Sequence, residues 1–191
     1  MPDTDIVAAA VAETVALHQR LTPATLQAVA DAAAAIVKTL RAGGTLLAFG
    51  NGGSATDAQH LAAELVGRFL RERKGLAAVA LTSDSSILTS VANDEGFARV
   101  FARQVEALGA SGDVALGIST SGHSANVLAG LEQARAQGLT TVALTGRDGG
   151  AIGKAADVHI NVASASTPRV QEVHRTLMHA LCDLVERAIT Q

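Results

Sequence analysis

The chain is nearly without aromatic residues, with four Phe and no Tyr or Trp in 191 positions. Its interior must therefore be built from small and branched aliphatic side chains, and its abundant Ala favours closely packed helices. A single cysteine, Cys182, excludes an internal disulfide, and its apolar neighbours read as the setting of a buried core thiol. No apolar run is long enough to span a bilayer. The N-terminus carries Asp3, Asp5 and Glu13 in place of the basic stretch that opens a signal peptide. Basic residues are not in excess either, and a formal net charge of −3 argues against nucleic acid as the main ligand. Low-complexity linkers and internal repeats are absent. The expectation is one globular, cytoplasmic domain over residues 1–191.

What is present is an alternation of helical and strand patterns. Residues 6–21 read as a helix, and Thr22-Pro23 then supplies an N-cap followed by proline at the first helical position. That second helix runs to about Arg41 and stops at Gly43-Gly44. Five short, almost continuously apolar segments follow, at 45–49, 77–81, 114–118, 140–144 and 158–162. Such runs are the pattern of strands covered on both faces. Helices are predicted between them at 55–70, 97–108 and 124–137, with a last long one at 168–189. The fold class this implies is α/β: a doubly wound, five-stranded parallel sheet flanked by helices, with N-terminal helices and a long C-terminal helix.

Ligands of open α/β sheets lie beyond the carboxyl ends of the strands. Two turns there are built to receive an anion. Gly50-Asn51-Gly52-Gly53-Ser54 is nearly all backbone, and Ser119-Thr120-Ser121-Gly122-His123-Ser124 gathers four hydroxyls where a helix begins. Ser124 reads as the N-cap of that helix; capping explains one hydroxyl and leaves three over. Ser83-Asp84-Ser85-Ser86 and the segment Thr145 to Gly150 occupy equivalent positions. Gly50-x-Gly52-x-x-Ala55 formally matches a dinucleotide fingerprint, but the acidic residue expected about twenty positions on is missing at that spacing. Two cradles on one sheet edge favour a phosphorylated small molecule, and a sugar phosphate over a dinucleotide.

His60 and Glu64 stand four apart on a predicted helix and share a face. Such a pair can bind a metal, titrate against each other, or form a solvated ion pair. Gln171, Glu172, His174 and His179 interrupt the apolar run from Val170 to Val185, where an unpartnered polar group is costly. Alone, His179 reads as a satisfied core histidine; with His60 and Glu64 it could complete an acid/base site.

Taken together, these segments are recognisable. Gly50-Asn51-Gly52-Gly53-Ser54, His60-x-x-x-Glu64, Asn93-Asp94, Gly117 to Gly122, Leu144 to Gly150 and Arg169-x-Gln171-Glu172-x-His174 resemble the sugar isomerase (SIS) family, and within it the phosphoheptose isomerases. The resemblance runs in order from about Thr45 to the C-terminus. It implies a cytoplasmic homotetramer converting D-sedoheptulose 7-phosphate to D-glycero-D-manno-heptose 7-phosphate, the first step toward activated heptoses for lipopolysaccharide and other glycans. By the same resemblance Ser119, Thr120, Ser121 and Ser124 hold the phosphate. Asn51, Gly52, Gly53, Asn93 and Asp94 line the sugar, with Glu64 and Gln171 also at the substrate. Glu64 and His179 are then the acid/base pair, and His60, Glu64, Gln171 and His179 a zinc site. Gln171 and His179 are eight positions apart, about 12 Å along an ideal helix, which points to active sites shared between subunits. Pro168 departs from those relatives that carry an acidic residue there. The fold family also holds sugar-phosphate sensors and an adaptor of the bacterial replication initiator; the adaptor lacks the helix carboxylate, so Glu64 favours an enzyme.

Overall fold

In the computed structural model, which describes residues 2–191, the five apolar segments form β1 (Leu46–Gly50), β2 (Ala78–Ala80), β3 (Val114–Ser119), β4 (Thr140–Gly146) and β5 (Val158–Val162). All pair in parallel, in the order β2-β1-β3-β4-β5. β1 and β3 are buried along their whole length, as strands covered on both faces must be. The two-residue period of β1 sends Leu46 and Ala48 to one face and Leu47 and Phe49 to the other.

The first face is covered by α2 (Pro23–Arg41), α3 (Gly53–Val66) and α8 (Thr167–Thr190), with α1 (Asp3–Gln19) lying against α8. The second is covered by α5 (Val100–Leu108), α6 (Ala125–Ala136) and α7 (Gly150–Ala155), with α4 (Ser85–Asp94) beside α5. In that second layer Phe49 and Phe101 stack at 5.2 Å between ring centroids, and Gly130 of α6 leaves the room a Cβ would take from Phe49. Cys182 is buried, and burial pushes its thiol up to about 12, so it remains a protonated core residue. Thr22 caps α2 as expected, its Oγ1 accepting from the Thr25 N–H at 3.1 Å.

Two helices are additions to the sequence reading. α4 arises where Ser83 to Ser86 was expected to offer a ligand turn; Asp84 instead caps the helix, accepting from the Ile87 N–H at 3.0 Å. α7 is a six-residue helix in the Gly-rich stretch after β4. The expected helix over 55–70 ends early, at Val66, because Gly67 breaks it and the next three backbone N–H groups that matter, those of Phe69, Leu70 and Arg71, turn to Glu186. β2 is shorter than expected, at three residues on the sheet edge.

Candidate active site

Chain connectivity leaves β1 toward β2 in one direction, while β3, β4 and β5 build in the other, so the switch point lies between β1 and β3. The two anion-type turns flank it. After β1, Gly52 adopts φ +56°, a left-handed backbone that favours glycine, and serves as N-cap of α3. Gly50 is packed so closely on the Ile118 carbonyl and Ser54 that a Cβ there would sit 2.8 Å from the oxygen. After β3, Ser119 Oγ lies 2.9 Å from Ser124 Oγ and 3.2 Å from Ser121 Oγ, a knot of three hydroxyls at the start of α6. Ser124 stands at the N-cap position, yet its hydroxyl makes no capping bond; it faces Ser119 instead. That departs from ordinary capping and leaves the first N–H groups of α6 for another acceptor. Thr120 and Ser121 are half-buried on the same turn.

The two turns are tied together by a residue whose role the sequence did not disclose. Asn126, buried in the first turn of α6, exchanges two amide hydrogen bonds with Asn51, at 2.8 and 2.9 Å. Each side-chain amide satisfies the other's donor and acceptor, so the cradles are held at a fixed separation.

α3 and α8 run side by side on the same face of the sheet and meet at a nearly constant offset in sequence. At the N-terminal end, Gly53 lies against the Gln171 amide so tightly that a Cβ would collide with it. One turn on, Arg175 donates to the Asp57 carboxylate, 118 residues away. A further turn on, His60 Nε2 meets His179 Nε2 at 2.8 Å, 119 residues away, and lies 3.2 Å from Glu64 Oε1. Ligating atoms of His60, Glu64 and His179 all lie within 4.8 Å of one another.

Electrostatics distinguish these levels. Burial pushes the Asp57 carboxyl above its ordinary value even though Arg175 pulls it down. Burial and the nearby Arg175 charge lower the pKa of His60, against the opposing pull of Glu64, so His60 favours the neutral form that ligates metals. One of the two facing ring nitrogens must carry a hydrogen for the His60–His179 contact to be a hydrogen bond. Two imidazoles and a carboxylate are also donors that zinc accepts, and three of them leave a position for substrate.

Other expected site residues are placed elsewhere in the single chain. Gln171 sits at the Gly53 level, about two helical turns from His179, and shares a cleft with Thr56, Asp57, Glu172 and Arg175. Asn93 and Asp94 are exposed at the end of α4, where Asn93 donates to the Asp94 carboxylate at 2.8 Å. Pro168 occupies the first turn of α8, where its missing N–H costs nothing.

The chain matches the SIS domain family over residues 11–146. It is 57% identical over 160 residues to a phosphoheptose isomerase of Pelobacter propionicus, covering 84% of this chain and 85% of that one. A solved phosphoheptose isomerase from Neisseria gonorrhoeae superposes with a TM-score of 0.90 at 45% identity, covering 96% of this chain and 98% of the other. One from Francisella tularensis gives a TM-score of 0.90 at 35% identity, with 98% and 100% covered. By this family match, these identities and these superpositions, the chain belongs to the phosphoheptose isomerase family of SIS-domain proteins.

Proposed function

We propose that this protein is a sugar-phosphate isomerase acting on D-sedoheptulose 7-phosphate and yielding D-glycero-D-manno-heptose 7-phosphate, at the entry to activated-heptose synthesis. The observation that carries the reading is the convergence of Glu64, His60 and His179 on the α3–α8 seam, on the helix that starts from the Gly52 turn. The phosphate lodges among Ser119, Thr120, Ser121 and Ser124, where hydroxyls and the α6 N-terminus favour a dianion. The sugar then extends across the switch point past Asn51, Gly52 and Gly53.

Aldose–ketose isomerisation moves a proton between adjacent carbons and requires an acid at the carbonyl oxygen. Glu64 removes the carbon-bound proton of the ketose and returns it to the neighbouring carbon. His179 donates to the carbonyl oxygen and takes the hydroxyl proton on the other side of the enediol. His60 holds the His179 ring by its 2.8 Å contact and keeps its own nitrogen neutral. His60, Glu64 and His179 would hold zinc, which supplies a Lewis acid to the sugar oxygens when bound.

The placement of Gln171 bears on assembly. Within one chain it lies about two turns from the histidines, so it would join them only from a second copy. Asn93 and Asp94, exposed on α4, likewise would meet substrate from across an interface. α1 presents Ile6, Val7, Val11 and Val15 to solvent, an apolar stripe suited to helix packing between chains. These features support a homotetramer with shared active sites. A cytoplasmic location belongs to the same reading through the family resemblance; among the described residues no helix is long and apolar enough to cross a membrane. The test is turnover of sedoheptulose 7-phosphate by the purified protein beside Glu64→Gln. Heptose 7-phosphate from the parent and not from the variant supports the assignment; binding without turnover by the parent contradicts it.

A further inference from the structure

The seam between α3 and α8 continues past the histidines to a buried carboxylate that the reaction does not use. Glu186 lies seven residues after His179 on α8, about two turns along the same face. Its side chain is 0% exposed. It accepts the backbone N–H groups of Phe69 at 2.7 Å, Leu70 at 2.8 Å and Arg71 at 3.0 Å. Two guanidinium groups face it as well: that of Arg73, whose Nε stands 3.0 Å away and whose side chain is 3% exposed, and more distantly that of Arg71, at 3.8 Å.

Arg73 and Phe69 lead back to the acid/base groups. Arg73 spreads its other nitrogens over the end of α3: Nη2 donates to the Glu64 carbonyl at 2.8 Å, and Nη1 to the carbonyls of Leu65 at 2.8 Å and Gly67 at 3.2 Å. The Glu64 carbonyl is one that a helix leaves without a partner at its C-terminus, whereas that of Leu65 also accepts the Leu76 N–H at 3.0 Å, and a cation there complements the helix dipole. The peptide carrying Glu64 is thereby held from below. Phe69, pinned through its N–H, lays its ring 5.4 Å between centroids from the His179 ring, tilted by 32°.

We propose that Glu186 is a positioning residue for the reaction, fixing Glu64 through Arg73 and His179 through Phe69. Stability alone is a poor reason for such an arrangement. A buried ion pair gains little over an apolar pair of equal volume, because desolvation offsets the attraction. An apolar pair, however, could neither bind three backbone N–H groups nor cap the α3 carbonyls, so the segment after α3 would lose its fixed path. Burial works to raise the Glu186 pKa, but the three backbone donors and Arg73 hold it below the ordinary value, so the clasp stays charged at neutral pH.

The proposal rests on the acid/base reading of Glu64 and His179, and its test separates the two. Glu186→Gln, Arg73→Met and Phe69→Leu are compared with Asp157→Asn, which weakens another anchored carboxylate, on the Thr141 N–H and hydroxyl, far from the seam. All are assayed well below their own Tm. Glu186→Gln and Arg73→Met are expected to lower kcat by roughly 10- to 100-fold with KM within about twofold, since a displacement of about 1 Å is enough for that loss. Phe69→Leu lowers kcat by a few fold, and Asp157→Asn lowers Tm with kcat unchanged. In parallel, NMR of the His179 ring should show its contact with Phe69 in the parent and its loss in Glu186→Gln, a readout that stands even if the parent has no turnover. A folded Glu186→Gln and Arg73→Met with kcat within twofold of the parent, or an undisturbed Phe69–His179 contact, overturns the proposal. Should Glu186→Gln not fold, Arg73→Met and Phe69→Leu decide the matter by the same criteria.

Discussion

The two faces of the sheet are held by different chemistry. On the face of α5 and α6, the contacts are mostly apolar: Phe49 against Phe101, Leu131 and Val127 over Gly117, Gly130 yielding space to Phe49, with the buried Gln104 amide donating to the Leu81 and Val100 carbonyls as the polar exception. On the face of α3 and α8, an apolar base carries a polar seam whose rungs are Gly53–Gln171, Asp57–Arg175, His60–His179 and Arg73–Glu186. Apolar packing is non-directional and tolerates exchange of shape, whereas three of the rungs demand particular polar partners at particular distances and the Gly53–Gln171 rung demands a residue without a Cβ. The lesson is a division of labour: one face supplies stability, and the other spends part of its burial on placing reactive groups.

Substitutions on the two faces should therefore dissociate activity from stability. The largest effect is expected from His179→Asn, which should lower kcat by about 10²- to 10⁴-fold, the usual loss of a general acid or base, while Tm moves by only a few degrees. Leu131→Ala, a fully buried residue of α6, should do the reverse, costing about 2–5 kcal/mol in urea unfolding with kcat unchanged at a temperature where the variant is folded. Loss of activity in Leu131→Ala at full folding would blur the comparison.

A third prediction concerns pH. His174 of α8 is fully buried, donates its Nε2–H to the Thr145 carbonyl at 3.0 Å and leaves Nδ1 without a partner. Burial lowers its pKa from 6.5 to about 4. Between those values the unfolded chain binds a proton that the folded chain refuses, so stability is full above 6.5 and falls as pH drops toward 4. The loss by pH 5 should be about 2 kcal/mol in denaturant titrations, and His174→Gln should flatten that acid limb. An unchanged slope in the variant assigns the limb to other groups. The smallest effect is expected from Asn126→Ala, which frees Asn51 and lets the two cradles drift. It should raise KM several-fold with little change in kcat, at a stability cost of about 1 kcal/mol for each of the two hydrogen bonds lost.

The difference between the faces also explains what could be read from sequence. Apolar periodicity located all five strands and the helices over them, because burial on a face leaves a pattern in the residues themselves. α4 escaped because Ser85-Ser86-Ile87-Leu88-Thr89-Ser90 is weak in helix formers and is set by the Asp84 cap; α7 escaped because it is six residues with two glycines. His60 and Glu64 were legible as neighbours four apart, and His179 as a polar break in the apolar run Val170 to Val185 that could complete their site; only the family resemblance singled it out from Gln171, Glu172 and His174, since its partner is 119 residues away. Asn126 and Glu186 gave no signal at all. Asn126 sits in an ordinary helical first turn, and Glu186 beside Arg187 looks like a solvated helix residue, yet both are buried on partners from distant segments.

The most direct test of the central claim, that Glu64 on this seam moves a proton between sugar carbons, is solvent deuterium incorporation during turnover of sedoheptulose 7-phosphate in D2O. Deuterium is expected at the carbon adjacent to the carbonyl with the parent protein, and its suppression together with turnover in Glu64→Gln. Incorporation at the parent's rate in Glu64→Gln would remove Glu64 from the base role and assign the proton transfer to another group.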